Sequence, residues 1–380
     1  AQDAKAKTQA FIDRFSKWYT PAVMVLALAA GLISGDVVLG LTLLVIGCPG
    51  ALVISIPVAI VAGIGRSARN GILIKGGEYL ETSAKISAVA VDKTGTLTEG
   101  RPVLTDIVVL NPEADRREVL RWAAAAEAGS EHPLARPILD TAREEGVAPE
   151  GLPGSVTPVV GKGIVADAHG KRVLIGNVPL LEQYGIVNDA GAAVAANKLA
   201  AAGKTPMIVA VDESVLGVIG VADTIREDAP EMIRRLHASG VQKVVMLTGD
   251  TRLVAEAIGE AVGIDEIHAS LLPEDKLDAV ARLQREGHTV AMVGDGVNDA
   301  PALATADIGV AMGAAGSAVA VETADIALMG DNLLKLPEAI SLAKRTVNVM
   351  RQNIWIALIT VVVLLVGVFA GGVTMAIGML

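Results

Sequence analysis

The chain has 380 residues, 52% of them hydrophobic, and a formal net charge of −10. That length allows two or three domains, the hydrophobic share exceeds what a water-soluble enzyme of this size needs, and the acidic balance argues against nucleic acid as a partner. A single cysteine excludes an internal disulfide and suits a cytosolic body.

The apolar excess sits at the two ends. Trp18 to Ser34 is a short candidate span; Val37 to Gly65 and Gln352 to Leu380 carry no charge and are each long enough to cross a bilayer. Lys5, Lys7, Arg14 and Lys17 precede the first span, Arg66, Arg69 and Lys75 follow the second, and Lys344, Arg345 and Arg351 precede the third. Positive-inside reasoning places the N-terminus and the central loop in the cytoplasm of a multi-pass protein of the cell membrane, with membrane lipid as its surroundings. The expected division is a lead-in over 1–16, a helical hairpin over 17–74, an α/β body in two parts (75–102 and 221–343) with 103–220 inserted, and a last helix with the start of another over 344–380. The chain begins at Ala1 without a signal peptide and stops inside an apolar run, which reads as a piece of a longer protein.

Val37 to Gly65 as one helix would be about 43 Å long against a hydrocarbon core of about 30 Å. Pro49 cannot donate to the helix ladder and Gly50 loosens it, so a break is expected at Cys48-Pro49-Gly50. A thiolate at Cys48 beside carbonyls freed at Pro49 makes a soft site for a transition metal. The alternative is a small buried cysteine next to a packing kink.

In the central loop, ISAVAV (Ile86 to Val91) runs straight into DKTGT, which reads as a buried parallel strand delivering Asp92 to its C-terminal end. VQKVVMLTGD and HTVAMVGDGVND repeat the pattern, and Asp228 to Ala238 and Thr251 to Val262 read as the helices between. The expectation is a doubly wound parallel sheet with its site at the carboxyl edge. Between these strands, Arg116 to Ala128 and Leu134 to Glu145 look helical. Val156 to Val165, Arg172 to Gly176, Pro206 to Val211 and Val215 to Val221 look like strands, which predicts an inserted α+β domain with its own core.

An aspartate at a strand end, backed by a Gly-Thr turn, can attack a phosphoryl group and become an aspartyl phosphate. That chemistry needs Mg²⁺ and oxygen ligands, for which Asp295 and Asp299 of GDGVND are candidates. Thr248 and Gly249 offer a hydroxyl and an N–H to phosphate oxygens, and Lys276 of PEDK offers a point charge. The alternative for Asp92 and Asp250 is helix capping. In the inserted segment, Glu127, then Ser130-Glu131-His132-Pro133-Leu134-Ala135, Gly161-Lys162-Gly163 and Gly176-Asn177 form a second group. There His132 can stack on or hydrogen-bond a base, and Gly161 and Gly163 allow close backbone approach or form an ordinary turn.

DKTGTLT, TGD, the PEDK lysine and GDGVNDAPAL, in that order, resemble the phosphorylation domain of P-type ATPases, and the resemblance covers essentially the whole chain. It implies a haloacid dehalogenase-like fold in which ATP phosphorylates Asp92, with Asp250 of TGD in the same site. Asp295 and the Thr94 carbonyl would hold Mg²⁺ with Asp92, Thr248 and Lys276 would hold the phosphate, and Asn298 and Asp299 would complete the site. Phosphatases that share this sheet carry an acid two residues after the nucleophile; Thr94 cannot serve, so the acyl phosphate should persist. SEHPLA resembles the nucleotide-binding domain of the heavy-metal-transporting branch, which implies that Glu127, His132, Gly161, Gly163, Gly176 and Asn177 hold ATP and that a transition-metal ion binds at Cys48 and Pro49. That branch usually has Cys-Pro-Cys, Cys-Pro-His or Ser-Pro-Cys, whereas Gly50 has no side chain to offer. In the last span, Gln352 to Ala370, the polar candidates are Asn353 and Thr360, and beyond it Met375 and Met379 either offer thioethers or pack. The resemblance further implies that an actuator domain and other membrane helices lie outside this chain, so that it phosphorylates itself without turning over. Rival readings are a P-type pump for a hard ion such as the potassium-pump branch, and a membrane-tethered phosphatase.

Overall fold

A computed structural model describes residues 7–47, 50–130, 132, 134–186, 190–294, 299–313 and 322–370. Three helices open the chain: α1 (Lys7–Ser34), α2 (Val37–Ile46) and α3 (Gly50–Arg69). Gly35 takes a left-handed φ of 68° and Asp36 caps α2, its Oδ1 accepting the Val38 N–H at 2.8 Å and the Leu39 N–H at 3.2 Å. The expected long helix is indeed two, ending at Ile46 and restarting at Gly50, while Pro57 lies inside α3 without ending it. Cys48 and Pro49 lie outside the described residues.

Small residues let these helices approach closely, as membrane helices require. A Cβ on Gly40 of α2 would stand 2.9 Å from the Ala27 carbonyl oxygen of α1, and one on Gly63 of α3 would stand 2.7 Å from Thr346 Cγ2 of the last helix, Lys335–Phe369. Ile12–Ser34 and Lys335–Val368 are long and apolar enough to cross a membrane. Their outer faces expose Trp18, Leu28, Ile33, Trp355, Ile359 and Val363, which suits lipid or further helices.

The strands follow in chain order as β1 (Ile72–Ile74), β2 (Ala88–Asp92), β3 (Val103–Val109), β4 (Ser155–Val159), β5 (Gly163–Ala168), β6 (Lys171–Gly176), β7 (Thr205–Val211), β8 (Ser214–Ala222), β9 (Lys243–Leu247), β10 (Glu266–His268), β11 (Val290–Gly294), β12 (Ile308–Met312) and β13 (Ile326–Leu328). They form two sheets. The first has the order β1-β13-β12-β11-β2-β9-β10 and is parallel except for the edge pair β1 and β13. Its central strands are buried on both faces, which is why AVAV, VVML and VAMV read as unbroken runs of small and β-branched residues. The second sheet, β3-β8-β7-β6-β5-β4, is antiparallel throughout and grows out of the chain between β2 and β9. The helices Arg116–Glu127 and Ala135–Glu144 pack on it around Leu120, Ala124, Ile138 and Val209.

One expectation needs correcting. Val156 to Val165 is not one strand but the β4–β5 hairpin, because Gly161 takes a φ of +71° and the Lys162 N–H closes the turn on the Val159 carbonyl at 2.9 Å.

Candidate active site

β2 ends in Asp92, and the chain then turns sharply through Lys93–Leu97 with Gly95 at a φ of 70°. The turn is closed by the Thr98 N–H, which donates to the Lys93 carbonyl at 3.0 Å. β9 lies beside β2 in register, Asp92 opposite Leu247, so the TGD loop after β9 opens next to Asp92. β11 pairs β2 on its other side and leads to Asp299. Three adjacent strands thus bring their C-terminal ends to one place.

Neither alternative capping role is realised. The Asp92 side chain makes no capping bond to the turn that follows; Lys276 Nζ, from the helix Pro273–Arg285, donates to its Oδ1 at 2.5 Å and to Asp299 Oδ1 at 2.8 Å. Asp250 does not cap the helix Arg252–Val262; its Oδ2 stands 2.5 Å from Lys93 Nζ, a charge pair rather than a directional hydrogen bond. Thr248 is buried, and its Oγ1 accepts the Asp250 N–H at 3.1 Å, which fixes the loop. Burial by itself would lower the Lys276 pKa, but the Asp92 and Asp299 carboxylates outweigh it and hold the ammonium above the usual lysine value.

Asp92, Thr94, Thr248, Gly249, Asp250, Lys276 and Asp299 share one cleft of about 530 Å³. Asp295 and Asn298 lie outside the described residues. Glu127, His132, Gly161, Gly163, Gly176 and Asn177 share a second, of about 820 Å³, on the antiparallel sheet. The two clefts meet at His132, Leu134, Thr205, Gly249 and Asp250, so one continuous groove runs from the second sheet to Asp92.

Within the second cleft the glycines have a steric cause. Gly163 and Gly176 pair across β5 and β6; a Cβ on Gly163 would meet the Ile175 carbonyl oxygen at 2.0 Å, and one on Gly176 the Lys162 carbonyl oxygen at 2.1 Å. Asn177 joins them structurally, its Nδ2 donating to the Gly161 carbonyl at 3.0 Å and its Oδ1 accepting the Leu180 N–H at 3.2 Å. Burial pushes the Glu127 carboxyl above the usual glutamate value, partly offset by a hydrogen bond with Ser130, and Oε2 has no partner. His132 stands at the rim, open to solvent on one side, yet the crowding of its remaining surface pushes its pKa below the ordinary histidine value. The Leu134 N–H donates to His132 Nδ1 at 3.2 Å, so the neutral ring carries its proton on Nε2, free to donate.

Two contributors were not legible in the sequence. Lys93 looked like a spacer in DKTGT and instead pairs Asp250. Asp223 clamps the crossing between the sheets: its Oδ2 accepts the Thr98 hydroxyl at 2.5 Å and the Gly100 N–H at 3.2 Å, and its Oδ1 accepts the Arg101 N–H at 3.0 Å. The charged run DTIRED was the available signal. The remaining histidines take no part: His169 and His237 are exposed, His268 bonds Glu266, and His288 bonds Ser87. Thr360 donates its hydroxyl to the Ile356 carbonyl at 2.8 Å, and Met375 and Met379 lie outside the described residues.

A parallel sheet with an aspartate at the end of its central strand, a lysine shared between two carboxylates and a second sheet inserted after the first strand–turn defines a hydrolase-like α/β class of protein. Residues 86–307 match the haloacid dehalogenase-like hydrolase family, and the chain belongs to it. Over its full length the chain is 44% identical to a probable cadmium-transporting ATPase of Staphylococcus aureus (strain MRSA252), covering 54% of that protein, and over 93% of its length 43% identical to a zinc-exporting P-type ATPase of Mycobacterium marinum, covering 48% of it. The chain therefore spans about half the length of the curated relatives it matches. A crystal structure of a zinc-transporting PIB-type ATPase in the E2.Pi state superposes with a TM-score of 0.74 at 44% identity, covering 97% of this chain and 60% of that one. The catalytic domain of a CPx-ATPase superposes over 73% of this chain and 98% of its own, at 27% identity and a TM-score of 0.55.

Proposed function

We propose that the chain is the catalytic core, with part of the ion path, of an ATP-driven pump for a heavy-metal cation, working through an aspartyl phosphate at Asp92. The observation that carries this reading is the continuous groove, with base-sized space at Glu127 and His132 at one end and Asp92 with Lys276 at the other. ATP lies along it, the base against the second sheet and the γ-phosphoryl group at the carboxyl edge of the first. An Asp92 oxygen attacks phosphorus, the bond to the β–γ bridging oxygen breaks, and ADP leaves. Lys276 offsets the carboxylate charge that would repel the incoming phosphoryl oxygens, and the Thr248–Asp250 loop offers them a hydroxyl and backbone N–H groups.

The site also suits Mg²⁺. Asp92 and Asp299, both buried, share the Lys276 ammonium and bring carboxylate oxygens together in one spot, the ligand type Mg²⁺ takes. Asp92, the Thr94 carbonyl and Asp295 are the residues that would hold the ion, which supplies charge neutralisation to the transferring group. Thr94 offers no acid or base to water, in keeping with an intermediate that persists.

For the cargo, relatives named for cadmium and zinc support a soft or borderline divalent cation, with Cys48 its candidate ligand, and a relative named for manganese adds a harder ion to the panel; the cation would be moved across the cell membrane with the two sheets on the cytoplasmic side. The test is incubation of the membrane-inserted chain with γ-labelled ATP. An acid-stable, hydroxylamine-labile label is expected, absent in Asp92→Asn and dependent on one metal of a zinc, cadmium and manganese panel. A label that survives Asp92→Asn would sink the reading.

A further inference from the structure

A third cleft, of about 1010 Å³, lies apart from the groove that leads to Asp92. Its walls are the end of α3, the start of the last helix, Lys335–Phe369, and the helix Ala229–Ala238, which belongs to the α/β body and buries Met232, Ile233 and Leu236 in its core. α3 and the last helix run side by side in opposite senses: the Asn70 amide donates to Glu338 Oε1, Gly63 lies against Thr346, and Ile56 packs with Met350. Ala62, Arg66 and Asn70, at intervals of four, bring one face of α3 to the cleft; Glu338, Leu342, Arg345 and Val349, at intervals of three and four, bring one face of the last helix.

The cleft is basic at one end and apolar at the other. Arg66, Arg235, Lys335 and Arg345 share it with one acid, Glu338, and that acid is engaged by Asn70. Arg235 Nε donates to Glu231 Oε1 at 2.6 Å, and Lys335 Nζ donates to the Met329 carbonyl. The guanidinium groups of Arg66 and Arg345, both exposed, make no hydrogen bond or ion pair among the described residues. Two uncommitted guanidiniums on facing walls, each a planar fork of N–H donors, suit a phosphate group.

Ala59, Ala62 and Val349 form the apolar end. Val349 is exposed, as are Val58 and Val61 on α3 and Trp355, Ile356 and Ile359 further along the last helix, so this end opens onto the apolar outer surface of the helices. Arg66 is the first charge after the charge-free run of α3, and Arg345 stands about 10 Å before that of the last helix. The cleft therefore sits where the apolar surface ends and the charged body begins. A soluble anion would use only the basic end, whereas an anionic lipid has a phosphate for that end and acyl chains for the other, and basic pockets beside membrane helices take such headgroups.

We propose that this cleft binds the phosphate of an anionic phospholipid between Arg66 and Arg345, with the acyl chains laid over Ala62 and Val349. Because its third wall is the helix Ala229–Ala238, a lipid seated there touches the α/β body and two membrane helices at once. The test is native mass spectrometry of the full chain in a neutral detergent, titrated with phosphatidylglycerol and, separately, with phosphatidylcholine. Phosphatidylglycerol is expected to bind at least tenfold more tightly, and Arg66→Gln combined with Arg345→Gln to weaken it at least tenfold. Arg69→Gln combined with Arg351→Gln removes the same charge from the same two helices but outside the cleft, and is expected to change the affinity less than threefold. A smaller loss in the first pair, a comparable loss in the second, or no preference for phosphatidylglycerol overturns the proposal. So does displacement of the lipid by inorganic phosphate at equal concentration, which would make the cleft a site for a soluble anion. The readout is binding and does not depend on phosphorylation of Asp92, so the pump reading stands or falls separately.

Discussion

Lys276 Nζ stands 2.5 Å from Asp92 Oδ1 and 2.8 Å from Asp299 Oδ1, so one ammonium joins a carboxylate at the end of β2 to one at the start of the helix Ala300–Thr305. Replacing it with methionine leaves two buried like charges face to face, which raises the proton affinity of Asp92 and costs it nucleophilicity. Lys276→Met should slow phosphoenzyme formation by roughly 10²–10³-fold, read by rapid quench with labelled ATP. Arginine should not restore the rate, because its planar fork does not fit a point between two carboxylates. Because the Lys276 pKa is raised, its contribution is fully present below the ordinary lysine value, about 10.4, and is lost only as pH rises through the raised one. No alkaline limb from Lys276 is expected between pH 7 and 9; a rate that falls there would contradict the pairing.

Nucleotide affinity should depend on acid in one direction only. Burial lowers the His132 pKa, so the ring is neutral at pH 7, with Nδ1 accepting the Leu134 N–H. Protonation at Nδ1 removes that acceptor, and the neutral form's contribution fades as pH falls below the ordinary histidine value and through the depressed one. Calorimetric titration with a non-hydrolysable ATP analogue should show constant affinity from pH 7 to 8.5 and weakening only as pH falls below the ordinary histidine value. His132→Gln should flatten that acid limb. An affinity that is level down to pH 5 would remove His132 from the binding site.

Gly163 and Gly176 admit no side chain. Alanine at either would place a carbon about 2 Å from a carbonyl oxygen of the partner strand, forcing β5 and β6 apart. The expected cost is about 2–4 kcal/mol in thermal or urea unfolding, with loss of ATP binding in the folded remainder. Gly170→Ala is the contrast: its φ of +71° gives strain, but a Cβ there meets nothing within 4 Å, so a cost of about 1 kcal/mol is expected.

Asp223 holds Thr98, Gly100 and Arg101 at the crossing between the two sheets. Asp223 lines the cleft at Asp92 but not the second cleft, so Asp223→Ala frees that crossing and leaves the lining of the second cleft unchanged. Binding of the ATP analogue should change less than threefold, whereas phosphoenzyme formation should slow by about tenfold or more, since the reacting atoms are less often aligned. Equal losses in both would assign Asp223 to binding instead.

The parallel sheet and its edge were legible because motif and period agree there: AVAV, VVML and VAMV each end at a chemistry-bearing loop. The β4–β5 hairpin was hidden because Gly161 turns the chain inside a run of strand-forming residues, and Gly also serves as an ordinary close-approach residue. Lys93 and Asp223 were hidden for a different reason. Each acts on a partner more than 100 residues away in the chain, Asp250 and Thr98 respectively, and no local pattern records such a distance. Asn177 was legible as a cleft residue, but its amide is spent on Gly161 and Leu180, a use that spacing alone does not distinguish from ligand contact.

The helix Lys335–Phe369 enters three separate cores without interruption: Leu336, Ala339, Ile340 and Ala343 beneath the parallel sheet, Met350 beside Ile12 and Ile56, and Val368 beside Ala27 and Leu43. At 1.5 Å per residue it is a rod of about 52 Å. A rod clamped at both ends transmits angle as well as distance, so its turns act like gear teeth whose phase matters. One alanine inserted near Arg351 would rotate everything beyond it by about 100° while leaving Asp92, Lys276 and the groove untouched. Chemistry at the sheet would continue, and the membrane end would be out of step with it.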